Sequence, residues 1–340
     1  MFEKYTLWGS LALSLSVFSP ITNAQCPTTG TIKRFYSFGS SWSDNGFRIA
    51  SAACKKNTWP TCDNRFGNQV GGDVQIGLEG KDNNYLTWLA NNESIITYDI
   101  AQRGATVDNT CISTSNQPYD LKAQVDDFNR YYSPTDTRCA SDQKFSDWTA
   151  ERTVFVMFMG DNDIFNGANA NGAVSSTTSQ QKLNCAVNSY TAAVKSLYAA
   201  GARKFLYIST PSQELSDRVV NKGTTFVNNY LSWKRAYDIA ISSWWSQTQK
   251  DTTNYPGFQV DAYNFSVLMN DLWANPTNPK YQITKELDPA AASPYYLQKC
   301  TNTSATSHCI WYNDFHTFWQ VHALLARDML SGLGNLGFGK

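Results

Sequence analysis

Apolar positions along the 340-residue chain follow two rhythms. Short runs rich in apolar and aromatic residues predict strands at 33–38, 95–98, 153–159, 205–209 and 258–262. The run at 153–159 (Thr-Val-Phe-Val-Met-Phe-Met) is almost wholly apolar, which suits a strand buried on both faces of a parallel sheet. Between the strands, residues 180–200 carry Leu183, Val187, Ala193, Val194, Leu197 and Tyr198 at helical spacing. That helix is expected to stop at Gly201, since a glycine just past a helix accepts the left-handed backbone found there. A short helix begins over 85–90, a second long amphipathic helix covers 226–245, and a closing helix over 316–333 bears Phe318, Val321, Leu325 and Met329. Residues 50–85, rich in Gly, Asn, Asp and Lys, predict a long loop excursion. Strands alternating with helices imply an α/β fold, a mainly parallel central sheet with helices on both faces. In such sheets ligands sit beyond the carboxyl ends of the strands, so the informative residues should follow strands directly.

Three clusters do so, and a fourth lies near the C-terminus. Gly39-Ser40-Ser41-Trp42-Ser43-Asp44 follows the first strand, where a strand-to-helix turn would expose the Ser41 hydroxyl and aim backbone N–H groups at an anion. Arg103-Gly104-Ala105-Thr106 follows the second, and Gly104 would let its backbone approach a ligand closely. Gly160-Asp161-Asn162-Asp163 follows the most apolar strand, and the Asn162 amide could donate to a developing oxyanion. Asn313-Asp314-Phe315-His316 lies near the C-terminus. A residue three positions before a histidine reaches the imidazole Nδ1 from the same turn and leaves Nε2 facing a nucleophile. Each cluster alone also reads as an ordinary polar turn.

Composition narrows the field. Acidic and basic residues balance, 28 against 28, without a basic block, so nucleic-acid binding is not expected. Residues 1–24 have the pattern of a secretory signal peptide, with Lys4 ahead of an apolar stretch and Thr22-Asn23-Ala24 before Gln25. The stretch is interrupted by Gly9, Ser10, Ser14 and Ser16 and stopped by Pro20, short of the roughly 20 residues a spanning helix needs. No stable membrane insertion is expected, and the protein is read as secreted and extracellular. The eight cysteines are even in number, which in that compartment argues for disulfides. Spacing favours Cys54–Cys62 and Cys300–Cys309; Cys26, Cys111, Cys139 and Cys185 stay unpaired on spacing alone. Sequons at Asn92, Asn264 and Asn302 fit a glycoprotein. No CxxC occurs and only three histidines are present, so no metal site is expected. The GxGxxG at 332–337 ends the chain after a helix and is no dinucleotide site. His322 reads as a helix residue packed under the site, and His308 has no assigned role.

Taken in order, the four clusters resemble the conserved blocks of the SGNH or GDSL hydrolase family. The usual Gly-Asp-Ser-x-Ser-Asp appears as Gly39-Ser40-Ser41-Trp42-Ser43-Asp44, Gly-x-Asn-Asp as Gly160-Asp161-Asn162-Asp163, and Asp-x-x-His as Asn313-Asp314-Phe315-His316. The stretch 197–205 also looks like the family's larger secreted members, and the likeness, closest to fungal-type acetyl esterases, runs from about 33 to 330. The resemblance implies one domain over 25–340 with a flavodoxin-like three-layer α/β/α sandwich. It implies a carboxylic-ester hydrolase acting through an acyl-enzyme on a small-molecule or oligosaccharide ester, without metal or organic cofactor. Ser41 would be the nucleophile, His316 the general base, and the Ser41 and Gly104 N–H groups with the Asn162 side chain the oxyanion hole.

Two positions depart from the pattern. Ser40 stands where the family has Asp, and Asn313 where it has the triad acid. An Asn accepts from Nδ1–H but supplies no negative charge; in a Ser-His-Asp triad the Asp→Asn exchange costs about 10⁴ in turnover. Three outcomes stay open: an attenuated Ser-His-Asn hydrolase, Asp314 acting as the acid, or a non-catalytic relative that binds carbohydrate or lipid.

Overall fold

A computed structural model describes residues 33–47, 84–93, 95–114, 119–139, 148–275, 278, 281, 311, 315–317 and 319–336. The segment 1–24, the greater part of the excursion at 50–85, Cys26, Cys54, Cys62, Cys300, Cys309 and the sequon at Asn302 lie outside the described residues.

Five strands form one parallel sheet: β1 (Arg34–Gly39), β2 (Ile96–Asp99), β3 (Thr153–Phe158), β4 (Lys204–Ile208) and β5 (Gln259–Tyr263), in the order β2-β1-β3-β4-β5. β1 and β3 lie inside the sheet and are buried along their whole length, which is why their sequences are apolar on both faces. Successive side chains point to opposite faces, so each strand feeds two cores. Tyr36, Phe38, Phe155, Met157, Phe205 and Tyr207 join one core with α2 (Leu121–Tyr132), α3 (Asp161–Asn171), α4 (Thr177–Ala199) and α6 (Thr224–Lys250). Phe35, Val154, Val156, Phe158, Leu206 and Ile208 join the other with α1 (Tyr85–Asn92), α7 (Phe265–Ala274) and α8 (Trp319–Asn335). The result is the three-layer α/β/α sandwich with a mainly parallel sheet that the alternation of elements implies.

Helices α1, α2, α4 and α7 start where a polar side chain satisfies their first N–H groups. The Asn84 side chain accepts from the Leu86 and Thr87 N–H groups while the Thr87 hydroxyl accepts from the Asn84 N–H. Ser176 and Ser179 make the same reciprocal arrangement at α4. A disulfide joins Cys111, beyond β2, to Cys185 on α4, with a Cα–Cα distance of 5.6 Å. Closing a loop of 74 residues restricts the unfolded chain by about 4 kcal/mol.

Four helices go beyond those the pattern predicts: α2, α3, α5 (Asp217–Val220) and α7. The closing helix begins at Trp319 rather than at 316, which leaves His316 on the connection ahead of it.

Candidate active site

The chain turns as soon as β1 ends. The Ser43 and Asp44 N–H groups both donate to the Ser40 carbonyl at 3.1 Å. Ser41 therefore stands at the carboxyl end of the sheet, buried to 3 % exposure, with its Oγ 2.6 Å from His316 Nε2. The turn is braced from several sides. The Tyr85 hydroxyl bridges Ser43 Oγ at 2.8 Å and Ser37 Oγ at 3.1 Å, and Asn84 Nδ2 donates to the Ser43 carbonyl at 2.7 Å. The buried Gln124 amide clamps the last residue of β1, accepting from the Gly39 N–H at 2.9 Å and donating to its carbonyl at 2.8 Å.

The Gly160-Asp161-Asn162-Asp163 cluster is the first turn of a helix. Gly160 sits at φ 120°, and a Cβ there would lie 2.4 Å from the Tyr237 ring, so only glycine allows the chain to pass from β3 into α3. Asn162 Nδ2 donates to the Ala105 carbonyl at 3.0 Å and lies 3.3 Å from Asp161 Oδ2. The Asp163 carboxylate accepts from the Val107 N–H, 3.1 Å from each oxygen. These bonds fasten the 103–107 loop to α3, and Asp44 Oδ2 fastens it to the nucleophile turn by accepting from the Arg103 N–H at 2.7 Å. Gly104, at φ 79°, turns the loop between the two anchors. Ser41, Gly104 and Asn162 thus belong to one bonded assembly.

One member of that assembly has no signal in the sequence. Ser40 Oγ donates to Asp161 Oδ1 at 2.7 Å, linking the nucleophile turn to the start of α3 across 121 positions. Asp161 is 2 % exposed. Burial pushes its carboxyl up to about 6, against the opposing pull of the Ser40 hydroxyl, backbone N–H groups and the Arg218 charge. Burial likewise holds the neighbouring Asp163 carboxyl well above the usual range.

His316 is half-buried and packs edge-to-face on Phe315, with ring centroids 5.5 Å apart, while Trp42 lies 5.7 Å away on another side. Burial, then the charges of Arg218 and Arg103, push its imidazole down to about 3. At neutral pH it is therefore uncharged, as an acceptor of the Ser41 proton must be. His322 lies beneath, wholly buried against Trp42 and Tyr85, with neither ring nitrogen hydrogen-bonded. Asn313 and Asp314 lie outside the described residues. Among the described residues no group of His, Cys, Asp and Glu could hold a metal ion. A cavity of about 410 Å³ opens elsewhere, between α6 and α7, lined by Ser209, Lys234, Asp238 and Asn264 among others; it includes neither Ser41 nor His316.

The model of the family described as GDSL-like lipase/acylhydrolase matches residues 35–311. An acetylesterase of Thermothelomyces thermophilus is 24 % identical over 304 residues, which is 87 % of this chain and 86 % of that protein. A solved carbohydrate esterase, reported to have an active site with divergent catalytic and non-catalytic binding functions, aligns over 89 % of this chain and 68 % of its own. Identity there is 14 % and the TM-score 0.42.

Proposed function

The chain belongs to the GDSL-like lipase/acylhydrolase family, and from that premise we propose that it is a secreted carboxylic-ester hydrolase working through a serine acyl-enzyme. The observation that carries this reading is the 2.6 Å approach of Ser41 Oγ to His316 Nε2. His316 takes the Ser41 proton as Oγ attacks the ester carbonyl carbon, then returns it to the departing alcohol. Water, activated by the same imidazole, attacks the acyl-serine; the carboxylic acid leaves and Ser41 regains its proton. The oxyanion is held by the Ser41 and Gly104 N–H groups and by Asn162. One Asn162 N–H is engaged by the Ala105 carbonyl, so the hydrogen facing Asp161 Oδ2 at 3.3 Å is the one an oxyanion would draw away. The acetylesterase relative and the family make an acetylated small molecule or oligosaccharide the first substrate to try. Secretion is supported by the Cys111–Cys185 disulfide and by the signal-like residues 1–24.

The acid position is where this chain departs from the family, with Asn313 three residues before His316 and Asp314 the alternative acid. That substitution favours a second reading, a binding protein for carbohydrate or lipid that keeps the fold and turns over little. Hydrolysis of p-nitrophenyl acetate by the disulfide-intact protein separates the two. The hydrolase reading predicts activity that disappears in Ser41→Ala and rises at least about 10-fold in Asn313→Asp. A wild type inactive on acetyl and longer acyl esters would instead support the binding protein.

A further inference from the structure

The cavity of about 410 Å³ between α6 and α7 opens at the carboxyl ends of β4 and β5, and its lining includes neither Ser41 nor His316. Its α6 wall carries Leu231, Arg235 and Ile239, spaced four residues apart, so they stand in one row about 12 Å long. Leu231 is 39 % exposed and Ile239 59 %, while Val267, next after Ser266 of the cavity wall, is 62 % exposed. These are the exposed large apolar side chains among the described residues, and two line this cavity while the third flanks it. Scattered singly, such residues need no explanation. Grouped around a concave surface with a polar rim, they mark a place that something covers.

The rim itself supplies a cover. Asn264 lines the cavity and opens the sequon Asn264-Phe265-Ser266. As the cap of α7, its Oδ1 accepts from the Val267 N–H at 3.3 Å and from Ser209 Oγ at 3.2 Å. The residue is exposed, and its Nδ2 has no partner among the described residues. An N-linked sugar is attached through Nδ2 and leaves Oδ1 able to accept, so the modified side chain keeps both bonds. The attachment point is also fixed: Ser266 Oγ donates to the Thr210 carbonyl at 2.7 Å, and Lys234 Nζ donates to the same oxygen at 2.9 Å. A glycan leaving a fixed cap beside a concave wall gives up little further freedom on lying against it. Its pyranose rings offer C–H faces to the apolar side chains and hydroxyls to Arg235, Ser242 and Asn270 at the rim.

We propose that Asn264 carries an N-linked oligosaccharide whose first sugars lie in the cavity and cover Leu231, Ile239 and Val267. The inference rests on the secretion half of the reading above and not on the hydrolase half. The oligosaccharide comes from a lipid-diphosphate donor. The bond from Nδ2 to the anomeric carbon forms as the bond from that carbon to the diphosphate oxygen breaks, and Nδ2 releases one proton.

The test expresses the full chain, residues 1–24 included, in yeast and collects it from the medium. Peptide N-glycosidase turns a glycosylated Asn into Asp, and peptide mass spectrometry after that digestion should find Asn264 converted. The same digestion of the folded protein removes the sugar but keeps the cap, since Asp caps a helix as well as Asn does. Hydroxyl-radical footprinting then reads the cover: oxidation of Ile239 and Val267 should rise at least about 2-fold when the glycan is removed, and Tm should fall by roughly 2–3 °C. In Ile239→Ser the fall in Tm should be smaller, because less apolar surface is uncovered. A secreted protein with Asn264 unmodified overturns the proposal and leaves the secretion reading standing. A modified Asn264 whose loss of sugar changes neither footprint nor Tm does the same. Retention of the unmodified chain inside the cells overturns both.

Discussion

Replacing Asp161 by Asn should make the protein more stable in mild alkali and less active. The carboxyl is 2 % exposed, and burial lifts it from 3.8 to about 6. A raised folded-state value means that the folded protein holds the proton between 3.8 and about 6, where the unfolded chain has released it. Stability therefore declines as pH rises through that window, and above about 6 the whole cost is present. Two pH units at about 1.4 kcal/mol each make it about 3 kcal/mol. Asp161→Asn keeps the shape and carries no charge at any pH. Its carbonyl can still accept from Ser40 Oγ, but its NH₂ then opposes the Asn162 NH₂ across the present 3.3 Å contact, a loss of about 1 kcal/mol. The balance is a gain of about 1–2 kcal/mol at pH 8, or roughly 2–3 °C in Tm, and a loss of about 1 kcal/mol at pH 4. Turnover should fall about 10-fold, because the Asn162 amide loses the acceptor that orients it. Calorimetric melting at both pH values, with p-nitrophenyl acetate turnover at pH 8, checks both halves. A variant less stable than wild type at pH 8 would refute the reasoning, since the carboxylate would then be a net stabiliser.

His322→Phe addresses the opposite pH dependence. Burial holds the His322 imidazole down at about 3, so the fold keeps it neutral while the unfolded chain takes up a proton below about 6.5. Stability is lost as pH falls through that window. At pH 4.5 the variant should gain about 2–3 kcal/mol relative to its standing at pH 8, read from Tm at each pH; equal acid sensitivity of the two proteins would contradict this. Gly160→Ala should cost at least about 4 kcal/mol, from the φ of 120° together with the clash against Tyr237, and circular-dichroism melting measures it. A loss under about 1 kcal/mol would mean that β3 enters α3 by another backbone path.

What the sequence makes legible follows from where each element gets its stability. The strand at 153–158 announces itself because burial on both faces requires an unbroken apolar run. α4 and α6 are long enough for helical spacing to emerge. α3 is different. Its sequence, Asp-Asn-Asp-Ile-Phe-Asn-Gly-Ala-Asn-Ala-Asn, is poor in helix formers, so nothing local distinguishes it from a polar turn. It is helical because it packs on α6; Gly167 lies so close to Trp233 that a Cβ would come within 2.7 Å of the indole. Tertiary contact decides that element. α2, by contrast, has Leu121, Val125, Phe128 and Tyr132 at helical spacing behind an Asp120 cap, a pattern open to a closer reading.

The candidate site divides the same way. Ser41, Gly104, Asn162 and His316 are visible because each belongs to a short run that follows a strand or ends in a histidine. Asp161 is invisible because its significance lies in a partner 121 positions away. The bond also gives the departure at Ser40 a physical sense: the carboxylate absent from the nucleophile turn is present on α3 and reaches that turn through the serine hydroxyl.

The central claim, that His316 activates Ser41 as a nucleophile, is tested most directly by covalent labelling with a fluorophosphonate and peptide mass spectrometry. The account predicts one phosphonyl adduct on Ser41, formed at least about 100-fold more slowly in His316→Ala. An unlabelled Ser41, or labelling at the same rate without His316, would contradict it.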